Sequence, residues 1–328
     1  MISAHVGQPL RPSTRRWMFA ISLFAVVPML AFSLLAARSL FEHKITAQHV
    51  ELRQQADFGA RELAREVRII FATLDSLATS DAAKRADYAA LHAHASRIVA
   101  LSPRIGGIAA VDADGVARFS TLVPFGVTMP VITASDTDKK ALATGMRQVT
   151  PLHVAPLSGK QLVLFLVPVT EDGKVVFILR ASMWTTAIAE VVYEQPMPAT
   201  WVTSVIDQNM VHIARSKDAA RLVGQPASEL TQAAIRAGVN AAYTAASQDG
   251  IAMTASVARV PGTPWTVSVA APTASIGAEV WQAFQPTLWI GLGCALLSAL
   301  GVWYVARALL KQMQVASDTV TAPDKDQI

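Results

Sequence analysis

Two runs near the ends of this chain, Trp17–Ala37 and Val280–Ala306, contain no charged residue. At 1.5 Å per residue, each is long enough to cross a hydrocarbon core of roughly 30 Å as a helix. A pair of such spans forces everything between them onto one side of a bilayer. Arg11, Arg15 and Arg16 precede the first run, and Arg307 and Lys311 follow the second. The positive-inside bias therefore places both termini in the cytoplasm and residues 38–286 outside it. Trp281 and Trp289 suit one interface of the second span, Trp303 and Tyr304 the other. Basic residues ahead of an apolar run also mark a cleaved signal peptide, which is the alternative for Trp17–Ala37. The run exceeds the usual signal core of roughly 7–15 residues, and Leu35-Ala36-Ala37 is a poor cleavage site, so it is read as an anchor. Residues 1–16 and 307–328 are then short cytoplasmic tails, and 17–37 and 280–306 are transmembrane helices.

Composition fits this frame. Of 328 residues, 52% are hydrophobic and only 16% charged, a balance suited to a chain with some lipid-facing sequence. The net charge of +4 belongs mostly to the ends, because residues 38–286 carry 22 basic and 21 acidic side chains. No basic face for nucleic acid is implied. The single cysteine, Cys294, excludes both an intrachain disulfide framework and a Cys-rich metal site.

From Arg38 to Thr79, apolar residues recur at Leu52, Ala56, Leu63, Val67, Ile70, Leu74 and Leu77, with charged and polar residues between them and no proline. The steps predict one long amphipathic helix. Its stripe either packs along its own domain or, since the spacing is close to a heptad, forms a dimer seam. A second helix is expected over Ala86–Leu101, completing a helical segment over 38–101.

Strand signals follow. Ile108, Ala110 and Val111 lead into Asp112-Ala113-Asp114-Gly115, and Val116 and Phe119 continue beyond it. An Asp side chain that can bond forward to the backbone, followed by a glycine free to take positive φ, predicts a tight hairpin. Ser204–Val211 repeats the apolar run, Asp and turn, which suggests an internal duplication. Further hairpins are predicted from Gln161–Val169 with Lys174–Met183 and from Ile251–Val260 with Trp265–Ala271. Trp201–Ile206 should pair with Val211–Arg215. Short helices are expected after Ser135 or Asp136 and over Ala227–Ala237. The fold class is α+β.

Little points to catalysis. His92 and His94, two apart on a predicted helix, face different directions and read as solvated surface residues. No Gly-rich phosphate loop, His-Glu-x-x-His or Gly-x-Ser-x-Gly occurs. The acid pairs Asp112/Asp114 and Asp136/Asp138 are explained by a turn and a helix start. No catalytic residue, metal site or cofactor is expected.

Ile108–Gly115, Phe165–Val169 before a glycine turn, Ile206-Asp207 followed by Leu222-Val223-Gly224, and Gly262–Val269 before the second span together resemble the double Cache extracytoplasmic sensor domain of bacterial transmembrane receptors. The resemblance implies two PAS-like antiparallel-sheet modules strung on a long N-terminal helix, a membrane-distal one over 102–195 and a membrane-proximal one over 196–275. It implies a ligand pocket in the distal module, which points to Arg104, Phe119, Thr121, the Val123–Pro130 loop, Asp136, Asp138 and His153. Arg180, which interrupts the apolar run Val175–Leu179, either faces that pocket, where a carboxylate or other anion suits it, or pairs with a nearby acid. Amino-acid-binding relatives carry an acid near this point and an Arg-Trp pair on the pocket helix, neither of which is found here. The implied function is a two-pass input protein of the bacterial inner membrane. It would sense a small molecule in the periplasm and, as a homodimer, pass the signal to a histidine kinase, diguanylate cyclase or chemoreceptor output absent from these residues. The alternative is an envelope protein-interaction subunit with Cache-like modules and no ligand. A polar-lined cavity in the distal module favours the first reading, and a filled core with an exposed apolar patch the second.

Overall fold

The computed structural model describes residues 12–128, 134–155, 159–194, 197–238, 242–246, 250–273 and part of 281–307. The chain divides into two compact units, Met1–Thr46 with Ser275–Ile328, and Ala47–Ala274. Among the described residues, no helix is long and apolar enough to cross a membrane. Most side chains of Trp17–Ala37, and much of Val280–Ala306, lie outside the described residues.

Helix α1 (Pro12–Ala78) is the support of the second unit. Leu52, Ala56, Ala60, Leu63, Val67, Ile70, Leu74 and Leu77 are at most 2% exposed, in steps of three and four. Fully burying each leucine stabilises the fold by about 1.5–3 kcal/mol. The stripe is spent within the chain: it joins one continuous core with both sheets described below. The possible dimer seam on these residues is therefore filled by the protein's own domain. Small residues allow close approach, and a Cβ placed on Gly59 would lie 3.3 Å from Val192 and 3.4 Å from Val267.

The chain continues through α2 (Asp81–Lys84) and α3 (Tyr88–Leu101), capped at their N-termini by Ser80 and Asp87. The first sheet follows: β1 (Gly107–Asp112), β2 (Ala117–Ser120), then α4 (Asp136–Thr144), β3 (Gln148–Val149), β4 (His153–Val154), β5 (Gln161–Glu171) and β6 (Lys174–Trp184). The strand order is β2-β1-β6-β5-β3, with β4 also on β5. Helix α5 (Thr185–Tyr193) leads to β7 (Val202–Ile206) and β8 (His212–Arg215), then α6 (Ala219–Leu222), α7 (Glu229–Ala237), β9 (Tyr243–Ala246), β10 (Ala252–Arg259) and β11 (Thr266–Pro272). The second sheet is ordered β8-β7-β11-β10-β9. Both sheets share one plan, with the opening hairpin at one edge and its first strand paired to the last strand of the sheet. The duplication suggested by the sequence is present in the topology.

The two opening hairpins match in detail. Asp112 accepts from the backbone N–H of Asp114 and Val116, and Asp207 from that of Asn209 and Val211. Each first strand carries an irregularity near its end, at Ala110/Val111 and at Val205/Ile206. The left-handed position of the turn is Gly115 (φ 81°) in the first copy and Met210 (φ 61°) in the second. The side-chain cap holds the second turn despite a residue that pays for positive φ.

His92 departs from its expected solvated role. Its Nε2 lies 3.1 Å from the carbonyl oxygen of Val123. Its ring meets Phe119 at 5.8 Å and Phe125 at 5.6 Å. It fastens the loop after β2 to α3.

Candidate functional site

Alternation along β6 sets the site. Phe177, Leu179, Ala181 and Met183 enter the α1 core, so Ile178, Arg180 and Ser182 face the other side of the sheet. Helix α4 covers part of that side, where Ala141 packs on Leu166 and Ile178. Beside it lies a cavity of about 130 Å³, walled by β1, β2, β5 and β6, with His153 and Leu122 at its border. One water needs roughly 10–15 Å³, so the space admits a small organic molecule. Its room comes from small side chains: Ala109, directly opposite Arg180 in the ladder, with Ser120 and Ser182.

Arg180 is the charged group of the wall, and it is buried. One terminal guanidinium nitrogen lies 2.9 Å from Asp138 Oδ1, both side chains being 6% exposed. Burial lowers the Arg180 pKa from its ordinary value, and Asp138 opposes that shift. The carboxylate is itself fixed by a capping box. Its Oδ2 accepts from the backbone N–H and the hydroxyl of Ser135, while the N–H of Asp138 donates back to Ser135 Oγ. Among the described residues, Arg180 Nε has no hydrogen-bond partner. A buried N–H of a cation left without an acceptor costs more than an unmade neutral bond. Among the described residues, the wall contains no Asp or Glu side chain. The wall is mainly apolar, with Arg180, His153, Ser120 and Ser182 as its polar side chains, and the Ser182 hydroxyl already donates to the Gly107 carbonyl at 3.3 Å.

The sequence candidates separate into groups. His153 and Arg180 stand in the wall, with Asp138 against Arg180. Phe119 lies in the α1 core, away from the cavity. Thr121 is not in the wall; its hydroxyl oxygen accepts from the N–H of Ile108. Asp136 sits exposed in the first turn of α4, 3.5 Å from Lys139. Arg104 joins Glu66 of α1 at 2.8 Å and Glu194 beside α5 at 2.6 Å, and the Glu66 hydrogen bond raises its pKa. Of the Val123–Pro130 loop, Met129 and Pro130 lie outside the described residues. Ala109, Ser120 and Ser182 were not singled out from sequence, although the period of two places Ser182 beside Arg180. Among the described residues, no group of three or more metal-ligating side chains comes together.

One more contact bears on the site. The segment Gln148–Ala155 borders the cavity at His153 and Ala155 and is pinned to the second sheet. The Leu152 N–H donates to Asp207 Oδ2 at 3.0 Å, and Gln208 Nε2 donates to the Val149 carbonyl at 3.2 Å. In the first copy the corresponding oxygen, Asp112 Oδ2, lies 2.6 Å from Arg118 of the same hairpin. The duplicated aspartate thus caps its own turn in both copies, and its second oxygen joins the modules only in the second.

No protein-family model matches the chain, and no curated protein does. Solved structures do. The extracellular domain of a protein named as a histidine kinase, rpHK1S-Z16, aligns with a TM-score of 0.57 at 15% identity, over 71% of this chain and 97% of its own. The ligand-binding domain of the Pseudomonas aeruginosa amino acid chemoreceptor PctB, solved with L-Arg, gives 0.56 at 10% identity, over 70% and 96%. That of the Pseudomonas fluorescens chemoreceptor CtaA, solved with L-isoleucine, gives 0.55 at 12% identity, over 74% and 98%. The chain has the Cache (PAS-like) fold of such extracellular sensor domains.

Proposed function

We propose that this chain is the input part of a two-pass bacterial inner-membrane receptor, and that its distal module, residues 102–195, binds a small carboxylate through Arg180. The observation that supports this reading is the unpartnered Nε of a buried arginine in the wall of a mainly apolar cavity that, among the described residues, holds no acidic side chain. A carboxylate supplies the missing acceptor in a charge-assisted bond. The same lack of an acid gives the ammonium group of an amino acid no counter-charge in the wall, so a simple organic acid is the better guest. His153, Ser120 and Ser182 supply further polar contacts, Asp138 holds Arg180 in place, and the function is sensory rather than enzymatic.

In this account Trp17–Ala37 and Val280–Ala306 span the membrane, residues 38–286 are periplasmic, and the receptor works as a homodimer. The Gln148–Ala155 segment links the cavity to the proximal module, residues 196–275, through Leu152–Asp207 and Val149–Gln208. A ligand shifts that linkage only to the degree that it binds two arrangements with different affinity. The output domain or partner protein receives the shift in the cytoplasm.

The test is thermal unfolding of the full chain with short mono- and dicarboxylates, beside their neutral amides. At a hundredfold excess over Kd, a ligand stabilises by about 2.7 kcal/mol, which raises Tm by about 5–10 °C for a domain of this size. An acid should do so, its amide should not, and Arg180→Gln should lose the response while still unfolding cooperatively. Equal shifts from acid and amide, or a response kept in a folded Arg180→Gln variant, contradict the proposal.

A further inference from the structure

A larger depression lies where the two sheets meet along α1. It encloses about 740 Å³, within the roughly 300–1,000 Å³ range of small-molecule sites. One wall is α1 from Val67 to Asp75, another is Lys140 with Arg147–Val149 of the first module, and the third is the Pro261–Pro264 turn between β10 and β11. Its charge is lopsided. Arg147 is matched by Asp75 at 2.7 Å and lies over the Phe71 ring at 5.5 Å. Arg68 and Lys140 line the same depression, and among the described residues neither has an ion-pair partner. Their positive potential falls on a floor that is partly apolar, from Phe71, Val149 and the two prolines of the turn.

We propose that this junction groove is a second binding site, for a small amphipathic anion whose acidic group sits between Arg68 and Lys140 and whose apolar part rests against the Pro261–Pro264 turn. Two unpaired cations lining one concave surface focus potential toward an anion. The proline turn and the β3 backbone restrict what can lie beside it. Such a guest touches both modules at once. It also meets Val149, whose carbonyl accepts from Gln208, so it binds the same segment that borders the distal cavity. The groove is therefore placed to favour one arrangement of the modules independently of the cavity.

Phenyl phosphate is the probe, titrated calorimetrically into the full chain, with benzyl alcohol standing in for its neutral aromatic half and inorganic phosphate for its acidic half. Saturable binding of phenyl phosphate, tighter than either half and weakened by added salt, is expected. Removing a charged hydrogen-bond partner weakens binding about tenfold or more. Arg68→Ser and Lys140→Ser should each do so with Tm unchanged, since both side chains are exposed. Arg180→Gln should leave the titration as it is, which separates this site from the distal cavity. No saturable binding, equal affinity for benzyl alcohol or for inorganic phosphate, indifference to both serine variants, or loss in Arg180→Gln overturns the assignment.

Discussion

The duplicated aspartates allow one substitution to be made twice in the same molecule, with different expected costs. In Asp207→Asn the amide oxygen keeps the two turn bonds to Asn209 and Val211, and the amide nitrogen replaces the oxygen 3.0 Å from the Leu152 nitrogen. A donor then faces a donor, and the charged acceptor of a part-buried N–H is lost. Hydrogen bonds to charged groups contribute about 1.5–3 kcal/mol. At about 2–4 °C per kcal/mol for a domain of this size, Tm should fall by roughly 3–12 °C. In Asp112→Asn the turn bonds are likewise kept, and the loss is the pair to Arg118, whose side chain is 47% exposed. Such a pair is worth at most about 1 kcal/mol, so the fall should stay below about 4 °C. Scanning calorimetry on the two variants, with hydrogen exchange read at the Leu152 amide, makes the comparison. The Leu152 amide should lose protection in Asp207→Asn alone. Equal Tm losses, or unchanged exchange at Leu152, would refute the idea that the second oxygen of Asp207 holds the modules together.

Other outcomes follow from the same geometry. Burial pushes the His212 pKa down to about 4 from 6.5, with the nearby Arg215 charge adding to the effect. Between those values the unfolded chain binds more protons, so stability rises with pH and about 3 kcal/mol is lost from pH 7 to pH 4. His212→Gln should remove that increment from the pH profile of Tm. Asp138→Asn breaks a buried pair and should destabilise by about 3 kcal/mol. The Tm rise caused by an acid in the distal cavity should shrink in the same variant, because Arg180 loses the carboxylate that holds it in place. Arg104→Ala should lower stability by about 1 kcal/mol through the partly exposed Glu66 and Glu194 pairs, with the acid-induced shift unchanged.

Where local chemistry decides the structure, the sequence was readable. Asp112 with Gly115 announces a hairpin, and the α1 stripe announces a buried helix face. The second hairpin was visible only through Asp207, since Met210 stands where a glycine signal was expected. The strands β3, β4 and β9 were missed because two to four residues cannot display a period, and α5 because it follows β6 with no side-chain cap at its start. The stripe's near-heptad spacing left room for a dimer seam beside self-packing until both sheets were placed against it. Among the site candidates, Arg180 was legible as a charge interrupting an apolar strand, but its partner Asp138 belongs to a different element. The cavity itself leaves almost no trace in sequence. It exists where Ala109, Ser120 and Ser182 are small, and small residues are common everywhere. Arg104 and Asp136 satisfy the same residue-type logic as Arg180, yet they find their partners on the surface.

The most direct measurement is a crystal structure of the chain grown with the carboxylate that raises Tm most. The account predicts one carboxylate oxygen within about 3 Å of Arg180 Nε, in the space bounded by Ala109, Ser120 and Ser182, with the Arg180–Asp138 pair retained. An acid bound elsewhere while the distal cavity holds only water, or one seated there with its carboxylate turned from Arg180, would contradict it.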